Sequence, residues 1–218
     1  MTDQQADLEW RDGTTPVSVQ FDDPYFSLDD GLAETRHVFL DGNDLPARFE
    51  DGFHVGELGF GTGLNFLVTL AAWRAAGVTG KLHFTSFEAF PMLMADMMRA
   101  LQAFEGLPID AFECGTFPSF SGPDFELRII VGDARETLPH WDGKADAWYL
   151  DGFSPAKNPE LWGDDLMAQI GKHTAQGGTC ATYTAAGFVR RALVDAGFDI
   201  ERTKGFGRKR HMSRGILR

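Results

Sequence analysis

Hydrophobic and polar positions change period several times along the chain, and each change marks an element. Leu8-Glu-Trp-Arg and Pro16-Val-Ser-Val-Gln-Phe alternate in polarity on either side of Asp12-Gly13-Thr14, which predicts a β-hairpin within residues 8–26. Asp22-Asp-Pro-Tyr-Phe-Ser follows as a turn, and residues 28–40 read as a short helix stopped at Asp41-Gly42-Asn43. From Phe53 onward the period switches repeatedly between two and 3.6. Strands are predicted at 53–58, 82–87, 125–131, 145–150 and 178–184, and helices at 63–76, 91–104, 160–172 and 185–196. Met92, Met94, Met97 and Met98 read as packing residues of the second of these helices. Residues 106–124, rich in Gly and Pro, predict an irregular loop insertion, and residues 198–217 a closing antiparallel pair around Gly205-Phe-Gly-Arg.

Strands alternating with helices imply an α/β fold with a mostly parallel sheet and right-handed crossovers. The expected organisation is an N-terminal hairpin-and-helix extension over residues 1–50 and a Rossmann-like core over 51–218, in one globular unit. No internal repeat or low-complexity stretch interrupts it.

Composition narrows the classes further. The 218 residues, 43% hydrophobic and 24% charged, suffice for one α/β domain with a sizeable core. The most apolar run, from Leu64 to Trp73, is broken by Asn65 and Thr69 and falls short of the roughly 18 residues of a membrane span. The first seven residues have neither a basic nor an apolar stretch of a secretory signal. Cys114 and Cys180 form no CxxC, so a reducing cytoplasmic setting is expected. The histidines lack HxxxH spacing, and no metal site is expected.

The net charge of −12 argues against nucleic acid until its distribution is read. From Arg202 to the end the chain holds seven Lys/Arg and no acid, against 13 basic and 32 acidic side chains in the rest. An acidic body with a basic end suits a localised phosphate contact.

The stretch Glu57-Leu-Gly-Phe-Gly-Thr-Gly-Leu-Asn65 follows a predicted strand and opens a predicted helix. Gly59, Gly61 and Gly63 allow a sharp turn and close approach to a ligand; Phe60, Thr62 and Asn65 complete the candidate cofactor loop. The spacing is GxGxG rather than the GxGxxG of dinucleotide sites, and Glu57 would repel a pyrophosphate but attract the cationic amino group of a methionyl moiety. Glu88, ending the next strand, can accept from ribose hydroxyls, and Asp133, in Val131-Gly-Asp-Ala134, from an adenine amine. Three acids at successive strand ends point to a nucleoside-type cofactor. After the fourth strand comes Asp151-Gly-Phe-Ser-Pro-Ala-Lys-Asn-Pro159, where Asp151 can hold an amine and Phe153 can stack on a planar base.

Six blocks together resemble one family. They are Phe21-Asp-Asp-Pro-Tyr-Phe-Ser27, Gly31-Leu-Ala-Glu-Thr-Arg-His-Val-Phe-Leu-Asp-Gly-Asn43, Gly56-Glu-Leu-Gly-Phe-Gly-Thr-Gly-Leu-Asn-Phe66, Leu150-Asp-Gly-Phe-Ser-Pro-Ala-Lys-Asn-Pro-Glu-Leu-Trp162, Thr182-Tyr-Thr-Ala-Ala-Gly-Phe-Val-Arg-Arg191 and Gly205-Phe-Gly-Arg-Lys-Arg210. They are similar to the methyltransferase domain of the bacterial tRNA 5-methylaminomethyl-2-thiouridine biosynthesis proteins (MnmC, with stand-alone forms called MnmD). The resemblance implies a class I S-adenosylmethionine methyltransferase fold, a Rossmann-like sheet with a C-terminal antiparallel hairpin and the N-terminal hairpin as an extension. It implies N-methylation of the aminomethyl group of 5-aminomethyl(-2-thio)uridine at the wobble position, in the anticodon stem-loop of tRNA. Asp151 would then be the catalytic carboxylate and Phe153 the stacking ring. Asp22, Asp23, Tyr25 and Lys157 would lie near the substrate, and Arg190, Arg191, Arg208, Lys209 and Arg210 would contact phosphates. Bifunctional members continue into a flavin-dependent oxidase domain; a chain ending at Arg218 would have only the methyl-transfer half and take its amine from a separate oxidase or a direct route.

Two other classes compete. A polyamine aminopropyltransferase uses a similar sheet, an adenosyl sulfonium and an aspartate facing an amine, but leaves the basic end and the six blocks unexplained. A non-catalytic RNA-binding module leaves the acids and the glycine loop without purpose.

Overall fold

The computed structural model describes residues 5–27 and 30–218; the predicted helix start at residue 28 lies outside the described residues. A small sheet of β1 (Leu8–Arg11), β2 (Thr15–Ser18) and β3 (Asp23–Pro24) comes first, antiparallel throughout, with Leu8 opposite Ser18. The turn expected at Asp22-Asp-Pro thus also contributes a short edge strand. Next runs a helical stretch, α1 (Gly31–Thr35), which continues through wider i→i+5 turns over Arg36–Leu40 and ends where Asp44 turns left-handed at φ 55°.

The main sheet has nine strands: β4 (His54–Leu58), β5 (Leu82–Glu88), β6 (Gly115–Thr116), β7 (Ser119–Ser121), β8 (Phe125–Val131), β9 (Ala145–Leu150), β10 (Thr174–Thr182), β11 (Phe198–Lys204) and β12 (His211–Leu217). Their spatial order is β11-β12-β10-β9-β4-β5-β8-β7-β6. The five strands from β8 to β10 pair in parallel, and β12 lies antiparallel between β10 and β11. The closing hairpin is as the sequence predicts. The segment 106–124 is not an irregular insertion: β6 and β7 form a hairpin that extends the sheet beside β8.

Helices α2 (Leu64–Ala76), α3 (Met94–Leu101), α4 (Ala134–Thr137), α5 (Asp164–Lys172) and α6 (Gly187–Asp195) link the strands. Gly77, at φ 66°, closes α2 as a left-handed cap. α3 starts later than the pattern predicts because residues through Leu93 stay extended. α4, which the sequence reading passes over, is capped by the Asp133 carboxylate.

Central strands buried on both faces read as continuous apolar runs. In β9, Ala147, Trp148, Tyr149 and Leu150 are all fully buried. Alternation sends Ala147 and Tyr149 to a core built with α2 and α3, and Trp148 and Leu150 to a second core with α5 and α6. Met92 and Met97 are buried in the first core, with Met94 and Met98 packed against it. The polar breaks in α2 have partners: the Thr69 hydroxyl donates to the Asn65 carbonyl at 2.7 Å and meets the Tyr149 hydroxyl at 3.0 Å. Residues after α1 are pinned to the sheet by Arg48, whose guanidinium donates to the Asn43 and Asp146 carbonyls and the Thr179 hydroxyl. No helix among the described residues is long and apolar enough to cross a membrane.

Candidate active site

From β4 the chain builds outward to β5 and β8 on one side, then returns to add β9 and β10 on the other. Where strand order reverses, the carboxyl ends leave a crevice between diverging loops. A cavity of about 840 Å³ occupies this crevice, within the usual range of small-molecule sites.

One wall is the glycine loop. Gly61 has φ 54°, and a Cβ there would lie 3.1 Å from the Tyr25 ring; at Gly63, φ 78°, it would lie 2.8 Å from Phe112. A side chain at either position would be both strained and crowded. Phe60, Thr62 and Asn65 line the cavity with Gly59 and Gly61, while Gly63 serves as the N-terminal cap position of α2. At the end of β5, Glu88 faces the cavity and steadies the loop: its Oε2 accepts from the Gly61 N–H at 2.9 Å and its Oε1 from the Phe90 N–H at 2.8 Å. Burial raises its carboxyl pKa, against the opposing pull of these amide donors. Asp133 also faces the cavity, but Arg135 holds both its oxygens, the closest contact being 2.6 Å, and keeps its carboxyl below the ordinary range.

Glu57, the acid before the glycine loop, lies deeper than the rest of it. Its side chain is fully buried beneath the loop and does not line the cavity. It shares a face of β4 with Val55, the face that α2 covers, and there it meets Asn65. Burial pushes its carboxyl well above the usual range, and its Oε2 has no hydrogen-bond partner.

The opposite wall centres on Asp151. Asn65 Nδ2 donates to Glu57 Oε1 at 2.9 Å and to Asp151 Oδ2 at 2.8 Å, so one amide ties the buried acid to the cavity acid. Turning the amide over would set its oxygen against both carboxyl groups, and as it stands its Oδ1 accepts from the Thr35 hydroxyl at 2.9 Å. Asp151 Oδ1 accepts from the Gly152 N–H at 2.8 Å. Enclosed by protein but open to the cavity, the Asp151 carboxyl is pushed up to about 6, burial outweighing these donors. Phe153 stacks on Phe21 at 4.6 Å between centroids and meets Tyr25 edge-on at 5.1 Å; its carbonyl accepts from the Trp162 indole N–H at 3.0 Å. The Ser154 N–H donates to Asp23 Oδ2 at 2.9 Å, and the Lys157 ammonium bonds the Asp22 carbonyl and pairs with both aspartates. The segment around residues 21–25 therefore roofs the loop after β9. Asp23, Tyr25 and Lys157 line the cavity, and Asp22 sits outside it, exposed.

Arg190 and Arg191 lie on α6, the first half-buried and the second exposed, and neither lines the cavity. Arg208, Lys209 and Arg210 occupy the turn between β11 and β12. Because Thr182 at the carboxyl end of β10 pairs with Ser213, that turn sits at the crevice end of the sheet. Only Lys209 of the three lines the cavity. The sequence reading misses Phe21, Glu34, Thr35 and Tyr183, which come from other segments; Tyr183 donates its hydroxyl to the Gly152 carbonyl at 2.8 Å. The one available signal is that all four fall inside the family blocks quoted above. Among the described residues no group of three or more His, Cys, Asp or Glu is placed to hold a metal ion.

Residues 105–218 match a protein family described as S-adenosyl-L-methionine-dependent methyltransferase, more than half of the chain. The chain belongs to that family. The methyltransferase is 44% identical over 233 residues to the tRNA 5-methylaminomethyl-2-thiouridine biosynthesis bifunctional protein MnmC of Stutzerimonas stutzeri, an alignment covering 98% of this chain and 35% of that protein. The chain thus spans about a third of the length of the curated relatives it matches. The crystal structure of MNMC2 from Aquifex aeolicus superposes with a TM-score of 0.77 at 25% identity, covering 99% of this chain and 72% of that one. A spermidine synthase from Thermotoga maritima shares the fold, with a TM-score of 0.55 at 10% identity over 97% of this chain and 71% of that one. The cavity fits the family's cofactor, S-adenosylmethionine: a loop without side chains at Gly59 and Gly61 borders it, and the Glu88 carboxylate lies at the end of β5 where a nucleoside's hydroxyls are met.

Proposed function

We propose that this methyltransferase methylates the exocyclic amine of 5-aminomethyl(-2-thio)uridine at the wobble position of tRNA, giving 5-methylaminomethyl(-2-thio)uridine. S-adenosylmethionine, when bound, supplies an electrophilic methyl group on a sulfonium. The observation that carries this reading is Asp151: a carboxylate locked by Asn65 and Gly152 faces the cavity that the glycine loop borders, with the Phe153 ring beside it. The printed name of the relatives, a tRNA 5-methylaminomethyl-2-thiouridine biosynthesis protein, supports the same substrate.

In this reading Gly59, Phe60, Gly61, Thr62, Gly63 and Asn65 shape the cofactor wall and Glu88 takes the ribose hydroxyls. Asp133 meets the adenine amine after giving up part of its pairing with Arg135. An alkylamine with a lysine-like pKa of ~10.4 is mostly protonated at neutral pH, and neutralising it costs roughly 4–5 kcal/mol. Asp151 binds and aligns the ammonium, then stabilises charge as the proton leaves toward solvent and the lone pair turns to the methyl group. Its raised pKa makes it a better acceptor than an ordinary aspartate, yet keeps it ionised at pH 7. Phe153 stacks on the uracil under the roof of Asp22, Asp23 and Tyr25, with Lys157 holding that roof closed. Arg190, Arg191, Arg208 and Arg210 serve the phosphates of the anticodon stem-loop, an assignment supported by the basic turn at the crevice end of the sheet. The substrate amine comes from an oxidase acting on a more substituted amine or from a route that yields it directly.

The test is methyl transfer from labelled S-adenosylmethionine to tRNA carrying 5-aminomethyluridine, beside tRNA with an unmodified wobble uridine. Label is expected in the first alone. Label in neither, with cofactor bound, removes the tRNA assignment and leaves the family.

A further inference from the structure

Of the basic side chains in the β11–β12 turn that the sequence singles out, Lys209 is placed differently from the others. Its Nζ lies 2.7 Å from Glu34 Oε1 and 4.1 Å from the centroid of the Tyr183 ring, and all three residues line the cavity. The Glu34 side chain is only 14% exposed and the Lys209 side chain 45%, so the acid is the fixed partner and the lysine has room to leave. Tyr183 is fixed by its bond to the Gly152 carbonyl, one residue beyond Asp151. Glu34 is fixed on α1 beside Thr35, whose hydroxyl donates to the Asn65 amide that holds Asp151. Thr35, the chain neighbour of Glu34, is therefore joined to Asp151 through Asn65 by two hydrogen bonds.

A carboxylate beside an aromatic face is a receptor for an alkylammonium, combining ion pairing with cation–π attraction. Lysine's head group is a primary alkylammonium, chemically the same as a protonated aminomethyl group. The cavity thus holds a built ammonium subsite with a chemical mimic of the substrate already in it.

We infer that Glu34 and Tyr183 recognise the substrate's ammonium as it enters, before Asp151 aligns it for transfer, and that Lys209 is the resting occupant of their subsite and leaves when the substrate enters. The identity of the substrate rests on the reading proposed above; the subsite itself does not. Released from Glu34, Lys209 sits on a turn at the rim of the crevice, within reach of an incoming phosphate. Its exchange converts an internal ion pair into an RNA contact without leaving Glu34 unpaired.

Calorimetric binding to the full chain without cofactor tests this with three probes: 5-aminomethyluridine, uridine and propylammonium. The Glu34→Gln protein is expected to lose about tenfold of its preference for aminomethyluridine over uridine. The Lys209→Met protein is expected to bind aminomethyluridine about fivefold more tightly, since no internal ammonium competes, and to bind tRNA more weakly. An unchanged preference in Glu34→Gln, or weaker nucleoside binding in Lys209→Met, overturns the inference. A measurement that needs no variant runs beside these. Acetylation of Lys209 in the unaltered protein, measured relative to the exposed Lys144 in the same sample because propylamine also consumes the reagent, should speed up several-fold when propylammonium is added, and an unchanged or slower relative rate counts against the exchange. Glu34-dependent binding of propylammonium without any binding of aminomethyluridine would keep the subsite and remove the uridine reading.

Discussion

Along β4, β5 and β8 the crevice is walled by one short run, within residues 59–65, and by the tips of two neighbouring strands. Its geometry is mostly backbone: left-handed glycines and amide donors aimed at Glu88. Along β9 and β10 the wall is made of side chains from five separate places, Phe21 to Tyr25, Glu34 and Thr35, Asp151 to Ser154, Tyr183 and Lys209. The first wall is fixed by local chain conformation and the second by long-range contacts such as Thr35 to Asn65 and Ser154 to Asp23. Asn65 belongs to both, since its amide bonds Glu57 under the loop and Asp151 across the cavity. A wall of backbone serves a cofactor that a whole family shares, whereas a wall of assembled side chains can be fitted to one substrate.

That contrast can be broken most directly at Asp151. Asp151→Asn should lower turnover about 100-fold or more with S-adenosylmethionine affinity intact, as measured by label transfer and by calorimetry. Near-normal turnover would remove Asp151 from the chemistry. On the backbone wall, Gly63→Ala meets both φ 78° and a 2.8 Å approach to Phe112. A loss of about 2–3 kcal/mol in stability is expected from strain and overpacking together, read from the denaturant midpoint, with weaker cofactor binding alongside.

A pH profile sharpens the comparison next. The substrate amine gains its neutral form as pH rises, giving kcat/KM a unit logarithmic slope up to the amine's own pKa. Asp151, with its carboxyl pushed up to about 6, is ionised above that pH and loses its charge as pH falls through it. The slope should therefore steepen from one toward two below about pH 6, and Asp151→Asn should abolish the steepening. Asn65→Ala removes a donor that favours the ionised carboxylate, so the break should move upward in pH. A break that stays in place would mean that Asn65 does not govern Asp151. The smallest effect is expected at the rim: Arg210→Ala should reduce the dependence of log affinity for tRNA on log salt by about 1.

How much of this could be read from residues depended on whether the determinant was local. The five parallel strands were legible because their flanks carry turn residues and their apolar runs are long. β6 and β7, of two and three residues, are too short to show a period of two. The glycine loop was legible because strand, loop and helix are consecutive. Glu57 was legible as an acid beside the loop, but not its full burial beneath it. Its partnership with Val55 on one face of β4 is a pleat effect that a motif does not express, and that face belongs to α2. Asp133 was legible as a strand-end acid, but not its capture by Arg135 two residues on. Glu34 and Tyr183 had no local signature, because only the return of α1 and β10 to the crevice brings them together.

The antiparallel strand β12 has a consequence for how this architecture is extended. Each parallel strand offers the crevice its tip once and must then send the chain back through a helix. Reversing a single strand hands the crevice a hairpin end, the six residues from Gly205 to Arg210, joined to the sheet by two strands that pair along seven positions. Such an end behaves as a tool holder. Its tip can be lengthened or recharged at the exposed positions Arg208 and Arg210 without disturbing the register of any strand beneath the cavity, while Lys209 keeps it coupled to the crevice through Glu34.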